Sequence, residues 1–276
     1  MLSVANLYFG VAFHPQIYSE QLKRAGMLFD RVVCREPWFA GGTADDHPRL
    51  FEFIRVVEIS SLPDSQVARA VVKAASAERT RIPQDERLSF DSDTLSRMIA
   101  LRLQEQSSDT YVPLLRGQFP FSSVPSPTAG KGALLRVALQ RLPLPSSDTP
   151  WGAIFDWRDD GDARRKFQRL RQWIGQVSRQ ISIPEDAEDE LAGLVDDYEQ
   201  YMSLQHRKIA RSRLEIFTVT TAQVLEDLSR LRLSNAMQRL FDLAKSNIVL
   251  EEAEFAAPGR AVAYIALARR RFARTS

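Results

Sequence analysis

Residues 7–35 read as strand, helix and strand in immediate succession, and that order constrains the fold more than any other feature of the chain. The run Leu7-Tyr8-Phe9-Gly10-Val11-Ala12-Phe13 is short, aromatic and β-branched, and His14-Pro15 stops it. Such a run is the signature of a buried strand. Pro15 can open a helix, and Ile17, Leu22, Ala25, Leu28 and Phe29 follow a helical period. Arg31-Val32-Val33-Cys34-Arg35 is a second strand, closed by Pro37. Two strands joined by one crossover helix pair in parallel.

Downstream the pattern turns helical. Asp45 or Asp46 is placed to cap a helix running through Leu50, Phe53, Ile54 and Val57. Residues 64–106 carry two apolar stripes, one through Val67, Ala70, Val71 and Ala74, the other through Leu95, Met98, Ile99 and Leu103. A polar interruption at 81–90 separates them. Seven of the 14 prolines fall in residues 111–150, making 118–131 a loop or linker. Residues 134–142 alternate loosely, which suggests a strand. Asp148 or Thr149 with Pro150 supplies a cap for a helix bearing Trp151, Ile154 and Phe155. Phe167, Leu170, Ile174, Val177 and Ile181 then form a clear amphipathic stripe.

Ser182-Ile183-Pro184 breaks that stripe. A second long helix carries Leu191, Leu194, Val195, Tyr198, Met202 and Ile209. Residues 222–231 and 235–245 read as two shorter helices, the second capped by Ser234. Residues 248–255 and 260–267 flank Ala257-Pro258-Gly259 and form either a hairpin or a strand followed by a helix. Alanine and arginine are good helix formers, which favours the helix. The expected fold is α+β or α/β, in three regions: an N-terminal α/β region over 1–117 with a small sheet, a Pro/Ser-rich connection with a possible strand over 118–149, and a mostly helical region over 150–276.

Composition closes several routes. With 276 residues, 44% hydrophobic and 26% charged, the chain matches ordinary globular proteins and excludes collagen-like, disulfide-scaffold and wholly disordered classes. The net charge of +2 gives no global pull toward nucleic acid. The apolar run at 4–13 is about half the roughly 20 residues that a membrane helix needs, and it lacks the flanks of a signal peptide. With one cysteine, no internal disulfide can form, which suits a reducing cytoplasm.

Chemistry-bearing residues gather in two places. His14, Glu36, Asp45, Asp46 and His47 follow the first two strands, where α/β folds place ligands. They could bind a divalent metal or act as acid and base. The same residue types also serve as caps and turns. Gly41-Gly42-Thr43 could cradle a phosphate, without the lysine of a P-loop. Cys34 could be a nucleophile or simple packing. No Gly-x-Ser-x-Gly, Cys-x-x-Cys or His-Glu-x-x-His motif is present.

The second gathering is basic. Arg158, Arg164, Arg165, Lys166, Arg169 and Arg171 face only Asp159, Asp160 and Asp162, and further clusters lie at 207–213 and 269–274. Residues 185–199 hold eight acids and no base. These faces are solvated, or pair internally or across a protein–protein contact, or bind phosphate through combined arginines. Trp151, Phe155, Trp157 and Trp173 anchor either a core or a partner.

The segment Trp151, Ile154, Arg158, Asp160, followed by Leu170-Arg171-Gln172-Trp173, resembles a group of bacterial proteins of no known activity. They carry Trp-x-x-Ile-x-x-x-Arg-x-Asp and then Leu-Arg-x-Trp. The stretch with Ala257-Pro258-Gly259-Arg260 and Ala263-Tyr264-Ile265 is similar to the end of the same group. The resemblance implies a bacterial origin and no catalytic residues. The function expected is contact, not turnover: a cytoplasmic interaction or accessory protein whose partner is another protein, with no cofactor. Its binding residues would be Trp151, Arg158, Arg164, Arg165, Arg169, Arg171 and Trp173. A metal-assisted hydrolase using the His14 group, and nucleic-acid binding through the arginines, are the alternatives.

Overall fold

The computed structural model describes residues 7–12, 19–35, 48–115, 131–179, 184–220, 250 and 252–272. The first unit is the expected one: strand β1 (Tyr8–Ala12), helix α1 (Ser19–Leu28) and strand β2 (Arg31–Cys34), with the two strands parallel and Ala12 opposite Cys34. Helix α2 (Pro48–Phe53) leads into strand β3 (Ile54–Val56), which adds to the outer side of β2. Helices α3 (Gln66–Glu78) and α4 (Arg87–Gln106) cross to the other side of β1, where strand β4 (Thr110–Pro113) lies. The sheet is parallel throughout, in the order β3-β2-β1-β4. With helices on both faces of that sheet, the fold is α/β.

Alternation along the strands divides the core. Phe9, Val11, Val33 and Tyr111 point to the face covered by α3 and α4, and Phe9 stacks on Tyr111 with ring centroids 4.9 Å apart. Tyr8, Ala12, Val32, Cys34 and Val112 point to the other face. That face is closed by α1 and by α5 (Lys131–Arg141), α6 (Trp151–Asp159), α7 (Gly161–Val177), α8 (Pro184–Thr220) and α9 (Ala263–Phe272). One cluster of buried side chains runs from Tyr8 through Trp151 and Trp173 to Phe272. The helices beyond residue 150 therefore complete the core of the N-terminal sheet. Among the described residues no helix is long and apolar enough to cross a membrane.

Several sequence expectations are corrected. Residues 134–142 are not a strand: most of them lie in α5, with Leu134, Leu135 and Ala138 buried on one side. Leucine and alanine are stronger helix formers than the loose alternation was a strand signal. The helix expected through Ile54 and Val57 ends at Phe53, because Ile54 and Val56 pair with Val32 and Cys34 instead. Strand β4 went unread behind its proline, which fits here because β4 is an edge strand and Pro113 closes it. No side chain of Asp148 or Thr149 caps α6; Pro150 itself holds the N-cap position without a side-chain bond. Of the residues expected as a strand at 248–255, the described ones, 250 and 252–255, are helical. The helices expected at 222–231 and 235–245 lie outside the described residues.

Gly259 fixes how the last described segment returns. Its φ is +69°, and a Cβ there would sit 2.0 Å from the backbone oxygen of Leu194. The backbone of α8 passes so close that only hydrogen fits, and left-handed φ is natural to glycine. Beyond it the chain enters α9, where Tyr264 is 1% exposed and donates its hydroxyl to the carbonyl of Met27. Gly259→Ala is expected to cost more than about 2 kcal/mol, from strained φ and the clash together. Urea unfolding with unchanged slope would measure it.

Candidate functional site

At the amino ends of β1 and β2 the chain leaves a cleft of about 470 Å³, lined by Leu7, Asp30, Arg49, Arg158, Asp159, Arg164, Phe167, Gln168, Arg171 and Tyr264. Helix α7 supplies one wall. Positions 164, 167, 168 and 171 share a face by the three-and-four spacing of a helix. The helix starts there because Asp160, the residue that ends α6, accepts hydrogen bonds from the backbone N–H groups of Asp162 and Ala163. That shared residue turns the chain sharply, so the end of α6 delivers Arg158 and Asp159 to the same cleft.

Two ion pairs organise the cleft. Asp30 accepts from the Tyr8 N–H at 2.8 Å and from Arg171 Nη1 at 3.0 and 3.1 Å. The guanidinium carbon of Arg171 lies 4.2 Å from the Tyr8 ring centre, a cation–π contact. Arg49 donates to both oxygens of Asp159, at 2.5 and 3.3 Å, and lies 5.0 Å from the Phe155 ring centre. That hydrogen bond draws the Asp159 carboxyl below its ordinary range and raises the Arg49 guanidinium.

The other two arginines differ. Arg158 Nη1 donates to the carbonyls of Gly26 and Phe29 at 2.9 Å each, satisfying acceptors at the C-terminal end of α1, where a cation is favoured. Burial pushes its guanidinium pKa down. Arg164 is exposed at the rim. Neither forms an ion pair among the described residues. Among the described lining residues four arginines gather around Asp30 and Asp159, and Glu52 and Asp156 also act on Arg49.

The expected binding residues therefore separate. Arg158, Arg164 and Arg171 converge in the cleft. Arg165 turns to Asp162 at 3.4 Å, and Arg169 lies 3.8 Å from Glu254 and over the Phe255 ring. Lys166, 4% exposed, bonds Asp162 at 2.5 Å and Glu254 at 2.9 Å, tying α7 to the segment before α9. Trp151 and Trp173, 3% and 8% exposed, belong to the core. Asp30 and Arg49 had no sequence signal, because their partners lie 141 and 110 residues away.

The amino-terminal candidates His14, Glu36, Asp45, Asp46 and His47, with Gly41-Gly42-Thr43, lie outside the described residues. In sequence, His14 and Glu36 each follow the last residue of a strand by two positions. Among the described residues no group of three or more His, Cys, Asp and Glu could hold a metal ion. Cys34 is 1% exposed, and burial pushes its thiol up to about 12. At neutral pH it is a packed thiol and supplies no thiolate. A buried polar run, Ser92, Asp93, Thr94, Ser96 and Arg97, marks the first half of α4.

No protein family, curated protein or solved structure matches the chain.

Two outcomes follow from these contacts. In native protein at pH 8, iodoacetamide leaves Cys34 unmodified, whereas denatured chain is alkylated. Because the folded thiol titrates higher than the unfolded one, stability is full below about pH 8.5 and falls as pH rises toward 12. Asp30→Ala removes the acceptor that the Tyr8 N–H and Arg171 share, at an expected cost of about 1–3 kcal/mol in thermal or urea unfolding.

Proposed function

We propose that this chain is a cytoplasmic interaction protein that captures an anionic group, presented by a partner, in the cleft between β1, β2, α6 and α7. The supporting observation is the charge balance of the lining. Asp30 bonds Arg171 and Asp159 bonds Arg49, and Arg158 and Arg164 reach the same opening within the field of those carboxylates. Guanidiniums suit this work because their planar donors pair with carboxylate and phosphate oxygens two at a time. A volume of about 470 Å³ falls in the range of small-ligand sites, roughly 300–1,000 Å³. The partner envisaged is another protein carrying the anion. The cytoplasmic setting rests on the single buried thiol, and a bacterial origin rests on the resemblance alone.

Arg164 is the residue to change, because it is exposed and its side chain makes no hydrogen bond among the described residues. Titration with sodium sulfate, against sodium chloride at equal ionic strength, should raise the melting temperature of the native protein by several degrees. Arg164→Glu should fold normally and lose that increment. Equal melting curves in the two salts would overturn the proposal.

A further inference from the structure

A second cavity, of about 180 Å³, opens on the far side of α7. At about 3.6 residues per turn, Asp162 and Lys166 stand roughly half a turn round that helix from Arg164, Gln168 and Arg171. The described linings of the two openings have no residue in common. We propose that this second cavity takes a short aliphatic acid through its carboxylate, independently of the first cleft. Tyr198 carries the argument. It lines the cavity, is 4% exposed, and its hydroxyl makes no hydrogen bond among the described residues. A buried tyrosine hydroxyl ordinarily has a partner, as Tyr264 has in the carbonyl of Met27. At Tyr198 that place is left to whatever enters. Burial, and then the neighbouring Glu254 carboxylate, push this phenol up, so it keeps its proton at neutral pH and donates.

The rest of the lining suits an acid with a tail. The two carboxylates present are occupied: Asp162 by Lys166 at 2.5 Å and Arg165 at 3.4 Å, Glu254 by Lys166 at 2.9 Å and Arg169 at 3.8 Å. Arg270 of α9 also lines the cavity, is exposed, and makes no ion pair or hydrogen bond among the described residues. A group that meets the Tyr198 hydroxyl and the Arg270 guanidinium together must accept hydrogen bonds, and an ionised carboxylate does nothing else. Met202, Leu250 and Leu267 give the cavity an apolar wall, which an alkyl chain covers and an inorganic anion leaves bare. Drug-sized ligands occupy roughly 300–1,000 Å³, so a cavity of 180 Å³ sets the chain at a few carbons.

The test is a ligand-observed NMR titration of the full chain at pH 7.5 with isovalerate and with isovaleramide, its neutral isostere. Isovalerate should bind at least about tenfold tighter than the amide. Tyr198→Phe keeps the ring and removes only the hydroxyl. It should weaken isovalerate about tenfold and leave the melting temperature without ligand unchanged or higher, because the hydroxyl holds nothing in the fold. Arg164→Glu, which alters the first cleft alone, should bind isovalerate as the unchanged protein does. A peptide ending in leucine with a free carboxylate separates two sources of the acid. Tighter binding than isovalerate puts the carboxylate at a chain terminus, weaker binding puts it on a free acid, and both support the site. Equal binding of acid and amide, full binding by Tyr198→Phe, or no isovalerate binding each overturns the proposal and leaves the first cleft untouched. Loss of isovalerate in Arg164→Glu would place the acid in the first cleft, which overturns the second site while anion capture stands.

Discussion

The carboxylate of Asp30 joins three separate elements at a single point. It stands between α1 and β2, takes the first N–H of β1, and holds Arg171 of α7 against the Tyr8 ring. Remove it and the amino edge of the sheet loses its link to the helix that forms the cleft wall. Arg158 makes a parallel link, from the end of α6 to the end of α1. Both links use a charged side chain on backbone polar groups, which would otherwise face a half-buried space without partners. The arginine-lined cleft is thus a by-product of how two layers are joined.

Lys166 shows how differently a neighbouring cation is treated. On α7 it sits five residues before Arg171, yet it is sealed among Asp162 and Glu254. A lysine in that position serves the fold, because a buried charge is tolerated only when paired. From composition alone the basic run 158–171 looks uniform; in space it divides into a paired staple, a rim and a cleft.

Much of the fold was legible because its signals are local. The unit β1-α1-β2 is written in contiguous apolar runs, and α7 in the spacing of Leu170, Ile174 and Val177. The failures came where tertiary pairing outweighs local pattern. Three residues of β3 follow directly on α2, and only Val32 and Cys34 across the gap make them a strand. Half of the cleft was visible as a cluster of arginines on one helix. The other half, Asp30 and Arg49, could not be read, since a lone acid before a strand and a lone arginine after His-Pro carry no pattern. What distinguishes Arg158 from Arg165 is which way a helix faces once it packs.

The hydroxyl of Tyr264 reaches the carbonyl of Met27 across 237 residues of sequence. Until α9 arrives, the space beside Trp157 stays unfilled, since Tyr264 and Phe272 are the rings that pack on that indole. During synthesis the indole of Trp157 must therefore wait, with an apolar slot beside it, while the residues between it and Tyr264 emerge. Such a chain gains its final cooperativity late and presents a sticky surface in the interval. The core on that side of the sheet closes only when the last described helix is in place.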